Sequence, residues 1–223
     1  MFDLIQERDI GAKLSSRTMV YVITHAENDL DNPSELTENG KTQAFELARS
    51  RVATGIFTIY SSTMEQAIST AEALREEFGS NLKTAKELIE VRLSKGQPST
   101  EQLIEILPKL WDNPEFEPDN GESLMKARRR ISDFMSQIIG KHRGEAIAVV
   151  THPMMAVLFH TLVRGGIPEI ADWLDMGYAS CAAYEYSKDG WSLVLPHENS
   201  FLTTISTVRD RLPLQVLDVL DSP

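Results

Sequence analysis

Two short apolar runs end in the same way, and this constrains the fold more than any other feature of the chain. Thr18 to Ile23 is β-branched and apolar, and it gives way to Thr24-His25-Ala26-Glu27. Ala146 to Val150 is also apolar and leads into Thr151-His152-Pro153. Short apolar runs bounded by polar residues read as buried strands. The proline after the second run suits the first position of a helix. One histidine after one strand reads as a loop cap. Two histidines after two strands point to a site, because ligands of open α/β sheets sit outside the carboxyl ends of the strands.

The stretches between them fit that scheme. Thr37 caps an expected helix to about Val52, and Ile56 to Tyr60 is a second strand closed by Ser61-Ser62-Thr63. Met64, Ala67, Ile68, Ala71 and Leu74 form one helical stripe up to Phe78. A short third strand is expected near Glu87 to Glu90. Residues 92–120 read as an insertion near the site, with a capping-box pattern at Ser99 and Gln102. A long helix follows from about Glu122 to Lys141. Its Arg128-Arg129-Arg130 reads as a solvated, ion-paired face. Met154, Met155 and His160 read as structural. Ser180 to Tyr186 and Trp191 to Leu195 read as a hairpin around Lys188-Asp189-Gly190. Strands alternating with helices give an α/β domain over 18–202, a three-layer α/β/α sandwich with a mostly parallel central sheet. Residues 1–17 read as an N-terminal extension with a short helix, and 203–223 as a partly helical C-terminal tail.

Charge and composition narrow the partners. Net charge is −11 with a pI near 4.9, which argues against nucleic acid and anionic membrane surfaces. The single cysteine, Cys181, excludes an intrachain disulfide. No apolar stretch approaches the ~20 residues of a membrane span, and the N-terminus lacks the pattern of a secretory signal. A cytoplasmic protein is expected.

His25 ends strand one, Ser61 and Ser62 end strand two, Glu90 ends the expected third strand, and His152 opens a helix whose N-terminus attracts anions. Two imidazoles and a carboxylate at such an end suit phosphoryl transfer: one imidazole attacks phosphorus, and the carboxylic acid protonates the leaving oxygen. No metal-ligand spacing accompanies them. Gly-x-Ser-x-Gly, Gly-x-Gly-x-x-Gly and a Walker-type lysine loop are all absent, so no metal or other cofactor is expected. The expected partner is a phosphorylated small molecule or another anion.

At these residues the chain resembles the histidine phosphatase superfamily, the phosphoglycerate mutase-like proteins. Thr24-His25-Ala26-Glu27 is similar to that family's Arg-His-Gly-Glu. Leu36-Thr37-Glu38-Asn39-Gly40-Lys41-Thr42-Gln43-Ala44 resembles its Leu-Thr-x-x-Gly-x-x-Gln-Ala. Tyr60-Ser61-Ser62-Thr63-Met64-Glu65-Gln66-Ala67, Leu88-Ile89-Glu90, Gly121-Glu122-Ser123 and Val150-Thr151-His152 resemble its remaining motifs in the same order. The resemblance implies His25 as the phosphorylated nucleophile, His152 as its partner and Glu90 as the proton donor.

The departures are specific. The two arginines with which the family grips the phosphoryl oxygens correspond here to Thr24 and Gln66, and Ala26 and Pro153 replace glycines. A lost catalytic arginine in phosphoryl transfer costs roughly 10³–10⁵ in rate, and neutral donors do not replace a bidentate guanidinium. Two readings follow. In one, the chain is a weak phosphomonoesterase in which another cation, Arg92 or Lys95, enters the pocket beside Thr24, Ser62 and Gln66. In the other, it is an inactive member that binds a ligand or a protein.

Overall fold

The computed structural model describes residues 17–221. The expected N-terminal helix lies outside the described residues. Six strands form one sheet in the order β3-β2-β4-β1-β5-β6: β1 (Thr18–Thr24), β2 (Ile56–Ser62), β3 (Asn81–Ala85), β4 (Ala146–Thr151), β5 (Cys181–Ser187) and β6 (Gly190–Glu198). The first four are parallel, and β5 and β6 add an antiparallel hairpin on the β1 side. Helices α1 (Glu38–Arg49), α2 (Glu65–Phe78), α3 (Thr100–Asp112), α4 (Leu124–Ile139), α5 (Pro153–Arg164), α6 (Ile170–Leu174), α7 (Val208–Arg211) and α8 (Leu214–Leu220) complete the fold.

Alternation along the central strands makes the three layers. Val20, Val22, Ile147 and Val149 point to one face, where Ile131 and Phe134 of α4 and Val157 and Leu158 of α5 cover them. Tyr21, Ile23, Ala148 and Val150 point to the other, against Leu47 of α1 and Leu74 of α2. A strand buried on both faces has no polar side to show, which is why β1 and β4 read as continuous apolar runs.

Three elements differ from the sequence expectation. The third strand lies earlier, at Asn81–Ala85, and pairs β2 with Thr58 opposite Asn81. As a polar edge strand it lacks an apolar signature, whereas Leu88 is apolar because it is fully buried after a single 3₁₀ turn, Lys86–Leu88. The Arg128-Arg129-Arg130 triplet is not a solvated face. Only Arg129 is exposed, while Arg128 donates to the carbonyls of Thr161 and Gly166 and Arg130 turns inward. The segment after Ser200 is built into the domain: Val216 of α8 is fully buried in the same core cluster as Leu107 and Leu110 of α3.

Local signals agree elsewhere. Ser99 and Gln102 form the capping box of α3, and Thr37 and Ser123 cap α1 and α4. Met154, Met155 and Cys181 are buried in the core. His160 Nδ1 lies 2.8 Å from the Tyr184 hydroxyl. Gly40 sits inside α1 because the turn packs on the backbone of Glu27: a Cβ there would lie 1.9 Å from Glu27 O.

Candidate active site

Sheet register brings the two histidines together. β1 and β4 are adjacent and parallel, with Thr24 opposite Thr151. The residue after each strand therefore emerges at the same level, and His25 N–H donates to Thr151 O at 2.9 Å. The imidazoles lie 4.9 Å apart between ring centroids, edge to face. Both are buried, and both line a cavity of about 240 Å³.

The hydrogen bonds of His25 settle its tautomer. Nδ1 is 2.9 Å from Ala26 O, which can only accept, so Nδ1 carries the proton. Burial pulls the imidazole down to about 4, against the smaller opposing pull of that carbonyl. At neutral pH the ring is uncharged and Nε2 keeps its lone pair. His152 is also neutral: burial, then its neighbour His25, then Arg130, hold it well below its ordinary value. Its Nε2 lies 2.8 Å from Ser62 Oγ, and that oxygen accepts from Met64 N–H. Ser62 thus fixes the His152 ring and is not itself among the cavity-lining residues.

Glu90 follows extended Ile89 at the end of the 3₁₀ turn and lines the same cavity. One carboxylate oxygen accepts from Val91 N–H at 2.8 Å, the other from Met154 N–H in the first turn of α5 at 3.1 Å. Burial is the strongest influence and raises the carboxyl to about 7. Those N–H donors and the charge of Arg130 pull the other way. A carboxyl near 7 supplies a proton at neutral pH.

Arg130 supports this arm from behind. All five of its donors are engaged: Nε and Nη2 on Glu122, Nη1 on the carbonyls of Glu87 and Ile89, and Nη2 also on Met155 Sδ. The ion pair with Glu122 is 2.6 Å and nearly buried. Glu122 in turn accepts from Arg92 N–H. The Gly-Glu-Ser motif therefore anchors the loop that presents Glu90.

The other residues expected to bind substrate part company. Gln66, at the start of α2, lines the cavity. Thr24 does not: its hydroxyl donates to Gly177 O at 2.7 Å and accepts from Ser180 N–H at 2.9 Å, pinning the turn before β5. Arg92 is exposed with its Nε on Asn120 O, and neither it nor Lys95 lines the cavity.

A residue that the sequence reading passed over stands there instead. Arg211, at the end of α7, is the one cavity-lining residue with a permanent positive charge among the described residues. Its segment is fastened by Gln43, whose amide accepts from Glu27 N–H and donates to Thr204 O and Ser206 Oγ. Tyr178 N–H donates to Ser206 O and Val208 N–H to Met176 O. Buried Gln43 was the available signal, since its one amide group serves two distant stretches of chain. Leu30, Met64, Trp173, Val208 and Leu212 add apolar lining to the cavity. No group of three or more His, Cys, Asp or Glu among the described residues is arranged to hold a metal ion. None of their helices is long and apolar enough to cross a membrane.

Comparison with known proteins bears on family and fold. Residues 21–199 match the profile of the histidine phosphatase superfamily (branch 1). Phosphoserine phosphatase 1 of Hydrogenobacter thermophilus is 29% identical over 133 residues, which cover 55% of this chain and 62% of that protein. The match thus spans less than two thirds of that relative's length. The YhfR structure from Bacillus stearothermophilus superposes with a TM-score of 0.72 at 21% identity, covering 83% of this chain and 99% of that one. Phosphoglycerate mutase from Bacillus anthracis superposes with 0.67 at 17% identity, covering 86% and 97%.

Proposed function

The chain belongs to the histidine phosphatase superfamily, and from that premise we propose that it hydrolyses phosphomonoesters through a phosphohistidine at His25. The observation that carries the reading is the unprotonated Nε2 of His25, held by the Ala26 carbonyl beside His152 in a cavity that also holds a Glu90 carboxyl raised to about 7. Nε2 attacks phosphorus as the bond to the ester oxygen breaks, and the Glu90 carboxylic proton passes to that oxygen, releasing an alcohol. Glu90, now a carboxylate, takes a proton from water. The hydroxide so formed attacks the phosphohistidine, giving inorganic phosphate and free His25. With Ser62 Oγ donating to its Nε2, neutral His152 keeps an Nδ1–H for a phosphoryl oxygen.

The test is hydrolysis of p-nitrophenyl phosphate by the wild type and His25→Ala. A rate lost in the variant supports the reading, and equal rates at background overturn it. One observation favours a second reading. Thr24 has become a structural peg rather than an oxyanion ligand, as in a member that binds an anion or a protein without turnover. Phosphate binding without hydrolysis would select that reading.

A further inference from the structure

We infer that Arg211, carried in from the C-terminal segment, is the cation that grips the phosphoryl group in place of the two arginines this chain lacks. The inference rests on the proposed phosphate site, but its test does not depend on turnover. Phosphate dianions require fixed positive charge to leave water for a cavity. Both cavity imidazoles are neutral and the chain is strongly acidic overall.

The three arginines nearest the motifs differ in what they have left to give. Arg130 has no free donor. Arg92 lies outside on Asn120 O. Arg211 makes one hydrogen bond among the described residues, from Nη2 to Asn28 O at 3.1 Å, and its Nε is buried with no partner. Its contact with Glu27 is long, 3.9 Å from Nη1 to Oε1.

Glu27 faces it without a hydrogen bond. Its carboxylate already accepts from Thr37 Oγ1 at 2.8 Å and Asn39 Nδ2 at 3.1 Å. A cavity-lining guanidinium whose Nη1 makes no hydrogen bond among the described residues and has one loose carboxylate neighbour keeps donors for a second anion. Its fork suits two phosphoryl oxygens at once. Its backbone is held by the Gln43 clamp and by the Thr207–Asp210 capping box of α7, so a bound anion orders little that is not already ordered.

The experiment is calorimetric titration of the full chain with inorganic phosphate, beside thermal melting and p-nitrophenyl phosphate kinetics. Arg211→Gln should weaken phosphate binding roughly 10–100-fold with the melting curve little changed, as expected for one charge-assisted contact. Arg211→Lys should fall between. Adding Gln66→Arg to Arg211→Gln should recover binding, because it returns a cation to the same cavity from α2. Unchanged phosphate affinity in Arg211→Gln overturns the inference even where His25→Ala confirms the phosphohistidine. A wild type with no His25-dependent rate overturns the hydrolytic reading, and the phosphate titration still decides the role of Arg211.

Discussion

Glu90 allows the sharpest test, because its proposed role as acid fixes both the shape of the pH profile and which substrates feel its loss. Burial raises it from 4.5 to about 7, so it is protonated below about 7 and ionised above. His25 must be neutral to attack, and burial lowers it to about 4. The rate should therefore be highest between these values and centred near ~5.5, falling about tenfold per pH unit beyond about 7 as the carboxylic acid disappears. Glu90→Gln keeps the shape of the side chain but has no proton to lose. It should flatten the alkaline limb and slow an alkyl phosphate by roughly 10²–10⁴. The nitrophenyl ester should slow much less, because its leaving oxygen needs no proton. The ester's own second ionisation falls near ~6 and is common to both proteins, so the difference between the two profiles isolates Glu90. An alkaline limb that survives in Glu90→Gln, or equal losses on the two esters, would refute the assignment.

Further outcomes follow from the same contacts. Arg130→Met removes the partner of Glu122 and the donor to two carbonyls, and should cost about 3–5 kcal/mol in urea unfolding. Because Arg130 lowers Glu90, the alkaline limb of that variant should move to higher pH. Gly40→Ala forces a methyl onto Glu27 O and should destabilise by at least about 1–3 kcal/mol, read from the shift in melting temperature. Buried His25 and His152, and half-buried His197 of β6, all titrate below the ordinary 6.5. Unfolding then takes up protons as pH falls below 6.5, and stability should decline from there toward about 4, partly offset by Glu90, whose raised value acts in the opposite sense above 4.5. Denaturant midpoints measured from pH 8 to 4 check the sign.

The fold and the two histidines of the candidate site were legible because they depend on local pattern. His25 and His152 stand where apolar runs stop, and that signal survives without a partner in view. Glu90 was found through its motif, although the strand expected to carry it lies several residues earlier. What was hidden depends on register and docking. Thr24 and Gln66 look equivalent as neutral replacements, yet one ties down a turn and the other faces the cavity, and only the sheet decides which. Arg130 looked solvated among three arginines because its direction is set by Glu122, eight positions back, and by the carbonyls after β3. Arg211 had no local signal, since its value comes from the Gln43 clamp.

The place of β4 between β2 and β1 also bears on how the molecule comes to exist. Strands one and two never touch; each waits for a strand made more than eighty residues after the second of them. Until then a nascent chain shows two long, greasy, unpaired edges, the kind that recruit other chains. Closing so wide a gap is slow. Synthesis of this protein should therefore pass through a span in which chaperone capture, rather than intrinsic stability, governs yield.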